Sequence, residues 1–252
     1  MPIMPQKPNI IICMCDELRW CGLGCYGHPT IHTPHIDALA TGGMRFETAV
    51  SNNPVCMPAR SLLLAGQYSR TCCETLSNSG WPGLQGAPLA KAGFPQWPTG
   101  RRKGFPDETL PEILKRSGYA TTAIGKWHVD AWPDAIGFDR YLIPAHHHAH
   151  SAQWFCEDGG PVFSPPGYSV DYEAGRVEGY LTEQAAADDP FFLYYNISPP
   201  HMPLADAPEK YLSMYTREDV VTRPNVPGNF IVPEKAMLSY LELIRQDTSD
   251  FA

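Results

Sequence analysis

A cysteine, a proline and an arginine stand at alternate positions in the stretch Cys56-Met-Pro-Ala-Arg60. Pro58 suits the first turn of a helix, and the apolar run Leu62–Leu64 before Gly66 predicts a short helix that starts near Cys56. A thiol at that point faces unpaired N–H groups and the positive end of the helix dipole, which favour negative charge. Arg60 lies within the first turn and can point to the same place. The spacing therefore permits a chemically active cysteine as readily as a buried structural one.

Strands and helices alternate along the predicted chain. The predicted strands are residues 9–15, 44–50, 119–124 and 191–197. Three predicted helices begin at Thr33, near Cys56 and at the capping box Thr109–Glu112. Two more are predicted over Asp171–Ala187 and Glu234–Arg245. The first strand is a continuous apolar run, which is typical of a strand buried on both faces of a parallel sheet. The alternation predicts an α/β fold with a mostly parallel central sheet flanked by helices.

Polar side chains follow three of the predicted strands at the point where each strand ends. In open α/β sheets, ligands bind in the crevice beyond the carboxyl ends of the strands. An acid, a Lys/His pair and a further histidine at three such ends make a candidate site, to which Cys56 and Arg60 can be added. The residues that follow the strands are Asp16 with Glu17, Lys126 with His128, and His201.

Composition limits the classes of function. The chain has 252 residues, of which 43% are hydrophobic and 18% charged, as in an ordinary soluble globular protein. Its net charge is −8 and it contains no basic run, so nucleic acid is not an expected partner. No apolar run reaches membrane-spanning length, and no secretory signal is recognisable, so we expect no membrane partner. The eight cysteines are then expected to be reduced thiols in the cytoplasm.

Proline and glycine are concentrated in two segments, which predict long loops at about 78–106 and 144–170 within one domain that covers residues 1–252. The second loop contains the run His146-His147-His148-Ala-His150. A loop that lines a pocket and an adventitious metal site are both conceivable, but a solvated loop is the favoured interpretation.

The stretch Cys56–Arg60 matches the C-x-P-x-R signature of the sulfatase family. Other parts of the chain resemble landmarks of that family in their usual order, over nearly the whole sequence. They include Gly24-Cys-Tyr-Gly27, Thr33-Pro-His-Ile-Asp37, Gly125-Lys-Trp-His128, Gly137-Phe-Asp139 and Pro200-His201. The resemblance implies the α/β fold that sulfatases share with alkaline phosphatase.

The resemblance also implies a chemistry for Cys56. In sulfatases a separate maturase oxidises the motif cysteine to Cα-formylglycine, whose aldehyde hydrates to a geminal diol. One hydroxyl attacks the sulfur of a sulfate ester and expels the alcohol, and the second hydroxyl then ejects the sulfate. By resemblance, the substrate is a small-molecule or saccharide sulfate ester.

The family assigns roles to the remaining catalytic candidates as well. Arg60 would hold the formylglycine and offset negative charge beside it. Lys126 and His201 would contact the sulfate group and the leaving oxygen, and His128 would accept the diol proton in the release step.

The metal implied by the resemblance is Ca²⁺ or Mg²⁺, held by Asp16, by the diol made from Cys56, and by Glu17, which stands where the family often has a second aspartate. The family continues past residue 252 with a strand that carries an aspartate followed by His or Asn, and then with a lysine. The resemblance therefore implies that the chain is the N-terminal portion of a sulfatase, truncated at its C-terminus. Two alternatives stay open: a phosphonate or phosphate monoester or diester hydrolase of the same superfamily, and an inactive truncated fragment.

Overall fold

The computed structural model describes residues 7–72, 104–129, 131–144 and 150–216. The strands in this part of the chain are β1 (Ile10–Cys15), β2 (Ala120–Gly125), β3 (Arg140–Pro144), β4 (Phe155–Glu157) and β5 (Phe191–Ile197). The helices are α1 (Pro34–Gly42), α2 (Cys56–Ala65), α3 (Ser69–Cys72), α4 (Leu110–Arg116), α5 (Ser169–Ala185) and α6 (Glu209–Leu212). The predicted helix Glu234–Arg245 and most of the predicted loop 78–106 lie outside the described residues.

The strands form one sheet in the order β1-β5-β2-β3-β4. β5 pairs in parallel with β1 on one side and with β2 on the other, and β2 pairs in parallel with β3. Only the β3–β4 pair among the described strands is antiparallel. The prediction of an α/β fold with a mostly parallel sheet is confirmed, and the carboxyl ends of β1, β5 and β2 meet at one edge of the sheet.

Local sequence signals set most of the element ends. α2 begins at Cys56 and ends before Gly66, whose φ of +64° places it in the left-handed region that glycine adopts at helix ends. The predicted capping box at α4 is present, because the Thr109 side chain accepts from the Glu112 N–H while the Glu112 carboxylate accepts from the Thr109 N–H. β5 has the bounds that the aromatic-aliphatic run predicts.

Two predictions about strands are wrong. Residues 44–50 form no regular element, and the side chains of Met44 (80% exposed), Phe46 (64%) and Val50 (86%) are largely exposed. β1 is not buried on both faces either, since Ile11 is 50% exposed. β1 is the outer strand of the sheet in the described part of the chain, so its burial alternates.

The sequence reasoning also missed two strands. The short β3 and β4 escape a search for long apolar runs, and β4 lies within the predicted loop 144–170. The remainder of that predicted loop includes the first residues of α5, which begins at Ser169.

An aromatic cluster fills the core on one face of the sheet. Phe138 stacks on Phe192 and Tyr194 with ring centroids 5.9 and 6.2 Å apart, and Trp127 meets Phe138 edge to face at 5.7 Å. Trp127 is 1% exposed, and its indole N–H donates to the carbonyl of Ala131 at 2.7 Å. The turn that follows β2 is therefore anchored in the core by the residue between Lys126 and His128.

The chain divides into two compact units. The larger contains the described residues up to Leu18 and Thr48–Asp206, and hence the whole sheet with α2 to α5. The smaller contains Arg19–Glu47 and the described residues from Ala207 onward, including α1 and α6. All the predicted site residues belong to the larger unit. None of the described helices has the length and apolar character needed to cross a bilayer.

Candidate active site

Four separate segments bring the predicted site residues together. Asp16 follows β1, Cys56 opens α2, Lys126 follows β2, and His201 lies four residues beyond β5. Because β1, β5 and β2 are neighbours and parallel, their carboxyl ends present Asp16, His201 and Lys126 at the same edge, and the start of α2 brings Cys56 to it. The ligand atoms of Asp16, Cys56 and His201 all lie within 4.8 Å of one another.

Asp16 is the centre of the polar contacts. Its side chain accepts from the ammonium group of Lys126, and Nη2 of Arg60 lies 3.8 Å from its Oδ1. The Sγ atom of Cys56 lies 3.5 Å from the same Oδ1. Lys126 is 0% exposed, Arg60 1% and Asp16 7%, so two buried cations surround one buried carboxylate beside the thiol.

The charge states follow from this arrangement. Burial alone would raise the pKa of Asp16, but the charges of Lys126 and Arg60 outweigh it and hold the pKa below its usual value. Burial raises the pKa of the Cys56 thiol, and the Asp16 carboxylate adds to that effect against the two cations. Burial also lowers the pKa of Lys126, although Asp16 opposes the shift. At neutral pH the unmodified site thus pairs a charged carboxylate with a protonated thiol.

Asn196 belongs to the site, although the sequence reasoning missed it. It lies in β5, is 1% exposed, and accepts a hydrogen bond on Oδ1 from Nη1 of Arg60 at 2.6 Å. This contact joins the Arg60 guanidinium to β5. The available signal was a single amide near the carboxyl end of an otherwise aromatic and aliphatic strand.

Two residues of the site have strained backbones. Glu17 has a φ of 62° and His128 a φ of 44°, in the left-handed region that side chains other than glycine seldom occupy. Such conformations cost about 1–3 kcal/mol each and persist where the surroundings enforce them, often at functional sites. Glu17 directly follows Asp16, and His128 lies two residues after Lys126. Asp16 and Lys126 therefore each lie beside a turn of unusual backbone geometry.

Glu17 and His128 lie at the margin of the group. The Glu17 side chain is 55% exposed, and its Oε1 lies 3.5 Å from Nε2 of His201. His128 is 4% exposed on the turn that carries Lys126, but it is not a member of the Asp16–Cys56–His201 group.

The described residues fit one side of a Ca²⁺ or Mg²⁺ site. Asp16 supplies a buried carboxylate next to Cys56, and Glu17 supplies a second carboxylate close by. Ca²⁺ takes about six to eight oxygen ligands and Mg²⁺ about six, so these residues cannot complete the coordination sphere.

The prediction of a solvated loop at the histidine run is wrong for His150, which is 2% exposed. Residues 146–148 lie outside the described part of the chain. The ring of His150 contacts the segment that carries His201, since its Nε2 lies 3.1 Å from the His201 carbonyl oxygen.

A buried acid lies beneath the turn that carries Lys126. Glu173 of α5 is 2% exposed, and its Oε2 lies 3.2 Å from the point where a Cβ on Gly125 would stand. Oε2 has no hydrogen-bond partner among the described residues. Burial raises the pKa of Glu173 to about 8, so the folded protein holds this side chain as a neutral acid at neutral pH.

Glu173→Gln is expected to change how stability depends on pH. Because the folded pKa is raised, the native state keeps a proton that the unfolded chain loses above its ordinary pKa of 4.5. The wild type then loses up to about 1.4 kcal/mol per pH unit from this group as the pH rises towards 8. The glutamine variant should match the wild type below pH 4.5 and gain relative to it up to pH 8. Urea unfolding across this range measures the difference, with the exposed Glu178→Gln on the same helix as control. Parallel curves for wild type and Glu173→Gln would contradict the assignment.

Comparison with known proteins agrees with this fold. A family profile described as Sulfatase matches residues 8–246. An ulvan-active sulfatase of Formosa agariphila is 32% identical over 235 residues, which are 90% of this chain and 42% of that protein. The chain belongs to the sulfatase family.

Further relatives extend the comparison. The N-acetylgalactosamine-6-sulfatase of Canis lupus familiaris is 32% identical over 224 residues, 79% of this chain and 41% of that protein. A solved structure of a protein in complex with its substrate D-glucosamine-2-N,6-O-disulfate is 28% identical, with a TM-score of 0.58 over 77% of this chain and 35% of that chain. The yidJ protein of Bacteroides fragilis shares the fold at a TM-score of 0.71, covering 92% of this chain and 53% of that one. The chain spans about two fifths of the length of the curated relatives named here.

Proposed function

We propose that this chain carries the nucleophile-bearing part of a sulfuric ester hydrolase in which Cys56 is converted to formylglycine. The observation that carries the proposal is the position of Cys56 at the start of α2, 3.5 Å from Asp16 and beside two buried cations. The names of the relatives favour sulfate over phosphonate or phosphate esters. They also favour a saccharide as the alcohol, since one relative is ulvan-active and another is named for N-acetylgalactosamine.

The cations of the site suit an anionic substrate. Lys126 and Arg60 are held in place by burial, and each contacts Asp16 while Arg60 also contacts Asn196. Preorganised cations in a site that excludes water stabilise charge that develops on the oxygens of a tetrahedral group. Their task in this proposal is to bind the sulfate group against the residue at position 56.

His201 has the position of a general acid for the leaving oxygen. Its Nδ1 lies 2.8 Å from the carbonyl oxygen of Met202, so Nδ1 carries the proton and Nε2 faces Glu17 and the site. In its doubly protonated form, a histidine placed in this way can donate the Nε2 proton to the oxygen that departs from sulfur and is left as the neutral Nδ1–H ring. His128, on the turn of Lys126, is proposed to accept a proton when the sulfate is released.

The metal and the maturase complete the proposal. Asp16 and Glu17 would hold Ca²⁺ or Mg²⁺ together with ligands from outside the described residues, and the ion when bound would polarise the sulfate oxygens. A formylglycine-generating enzyme is the proposed partner that oxidises Cys56.

Mass spectrometry of the peptide that contains Cys56 tests the conversion. Coexpression with a formylglycine-generating enzyme should yield a peptide lighter than the unmodified one, because an aldehyde replaces the CH₂–SH group. The peptide of Cys72, a buried cysteine in α3, serves as the unchanged control. Hydrolysis of an aryl sulfate by a preparation in which Cys56 is entirely a thiol would refute the mechanism. Preferential hydrolysis of a phosphonate monoester would instead favour the alternative substrate class.

A further inference from the structure

His150 is a buried histidine that the proposed reaction does not use. Its ring Nε2 lies 3.1 Å from the carbonyl oxygen of His201, and its Nδ1 is buried with no hydrogen-bond partner among the described residues. A carbonyl oxygen only accepts, so Nε2 must carry the proton of the ring. Burial lowers the pKa of His150, although its contact with the His201 carbonyl opposes that shift, and the ring is therefore neutral at neutral pH.

The backbone on both sides holds His150 in position. Its N–H donates to Oδ2 of Asp206 at 2.9 Å, and the N–H of Ser151 donates to the same oxygen at 3.2 Å. Its carbonyl accepts from the N–H of Ser169 at 2.8 Å, at the start of α5. The ring also meets Tyr168 edge to face, with centroids 6.2 Å apart. The imidazole is thus a fixed donor, held by the start of α5 and by the segment that contains His201 and Asp206.

The residue that accepts this hydrogen bond, His201, is itself held by contacts of its backbone. His201 lies in a segment without helix or strand, and its N–H donates to the carbonyl of Ser198 at 3.1 Å. Its ring is turned by the contact of Nδ1 with the carbonyl of Met202. With the N–H held by Ser198 and the carbonyl by His150, the peptide units on both sides of the His201 Cα are fixed.

We propose that His150 is a positioning residue that holds the His201 carbonyl, so that Nε2 of His201 stays directed at the Asp16–Cys56 group. The hydrogen bond acts on the backbone of His201, and His150 does not touch the reacting atoms in this assignment. Outer residues that orient the groups of a site typically affect activity by about 10–100-fold when they are changed. The inference deepens the proposed function and depends on it for its kinetic test.

Two substitutions separate positioning from packing. His150→Phe keeps a buried aromatic ring but removes the N–H, whereas His150→Gln keeps an N–H that can reach the same carbonyl. In the mature, active protein, His150→Phe is expected to lower kcat by about 10–100-fold with a smaller change in KM, and His150→Gln to restore most of it. The exposed His35→Gln should leave kcat unchanged. Equal kcat in the wild type and a folded His150→Phe would overturn the proposal.

NMR of the 252-residue chain tests the positioning role of His150 without requiring that the chain turn over a substrate. ¹⁵N NMR of the histidine rings at neutral pH should show a neutral His150 with its proton on Nε2, and the ring signals of His201 should shift in His150→Phe but not in His35→Gln. A proton on Nδ1 of His150, or unchanged His201 signals in His150→Phe, would overturn the positioning role even if the variant were inactive. A fully matured protein that shows the expected NMR result but does not hydrolyse sulfate esters would separate the two proposals. The positioning role of His150 would then hold, and the proposed function would be refuted.

Discussion

Cys56→Ala is expected to abolish sulfate ester turnover in the mature protein, by about 10³-fold or more, while its thermal unfolding stays close to that of the wild type. Loss of a nucleophile removes the covalent step itself, and losses of this size or larger are usual when one is deleted. Stability should change little because Cys56 is only partly buried and opens α2 rather than filling its apolar face. Alanine is also a good helix former.

Turnover of an aryl sulfate and a melting curve, measured on the same preparation, check this result. Cys56→Ser should release at most one equivalent of alcohol, because a serine sulfate lacks the second hydroxyl that would expel the sulfate. Cys21→Ala is the matched control, since Cys21 is also partly buried but lies in the smaller unit. Multiple turnovers by Cys56→Ala would exclude residue 56 as the nucleophile.

Asp16→Asn is expected to destabilise the metal-free protein by about 3–5 kcal/mol. Removing one member of a buried ion pair leaves an uncompensated charge, and losses of this order result. Here the carboxylate lies between Lys126, which is 0% exposed, and Arg60, which is 1% exposed, so its loss leaves two buried cations facing each other. Adding Lys126→Met to Asp16→Asn should recover part of the loss, because one of those charges is then removed.

Urea unfolding in a buffer with a chelator measures this change, and the exposed Glu17→Gln should stay within about 0.5 kcal/mol of the wild type.

The contribution of Asp16 to stability depends on pH with a defined sign. The pKa of Asp16 is lowered in the folded state, so its contribution is present above the ordinary aspartate range and is lost as the pH falls through the lowered value. An Asp16→Asn variant as stable as the wild type would contradict this prediction. It would show that groups other than Asp16 compensate the charges of Lys126 and Arg60.

Local sequence patterns were sufficient for much of the fold. β5 and the capped helix α4 depend on runs of side chains and on contacts within a few residues, which the sequence displays directly. The prediction of a strand at 44–50 was wrong because an apolar run becomes a strand only where another strand pairs with it. Nothing within those seven residues reports whether such a partner exists.

The site residues likewise fall into those that the sequence predicts and those that it does not. Asp16, Lys126 and His201 were found because the ends of parallel strands converge, a rule that needs only the order of the elements. Asn196 and His150 were missed as site residues because their roles depend on single contacts across the chain, 136 residues in one case and 51 in the other. The left-handed backbones of Glu17 and His128 were equally hidden, since neither residue type signals that conformation.

The pairing of β1 with β5 has a consequence for the timing of folding on the ribosome. The N–H of Phe191 donates to the Asn9 side chain across 182 residues, so the first strand waits for one of the last described elements before it gains its neighbour. His201 follows Cys56 by 145 residues (201 minus 56). At about 5–20 residues per second, synthesis takes roughly 7–30 s to cover that interval. For most of that interval β5 has not been made, so β1 and β2 lack the strand that joins them, and the maturase of the proposed function would meet Cys56 before the sheet is complete.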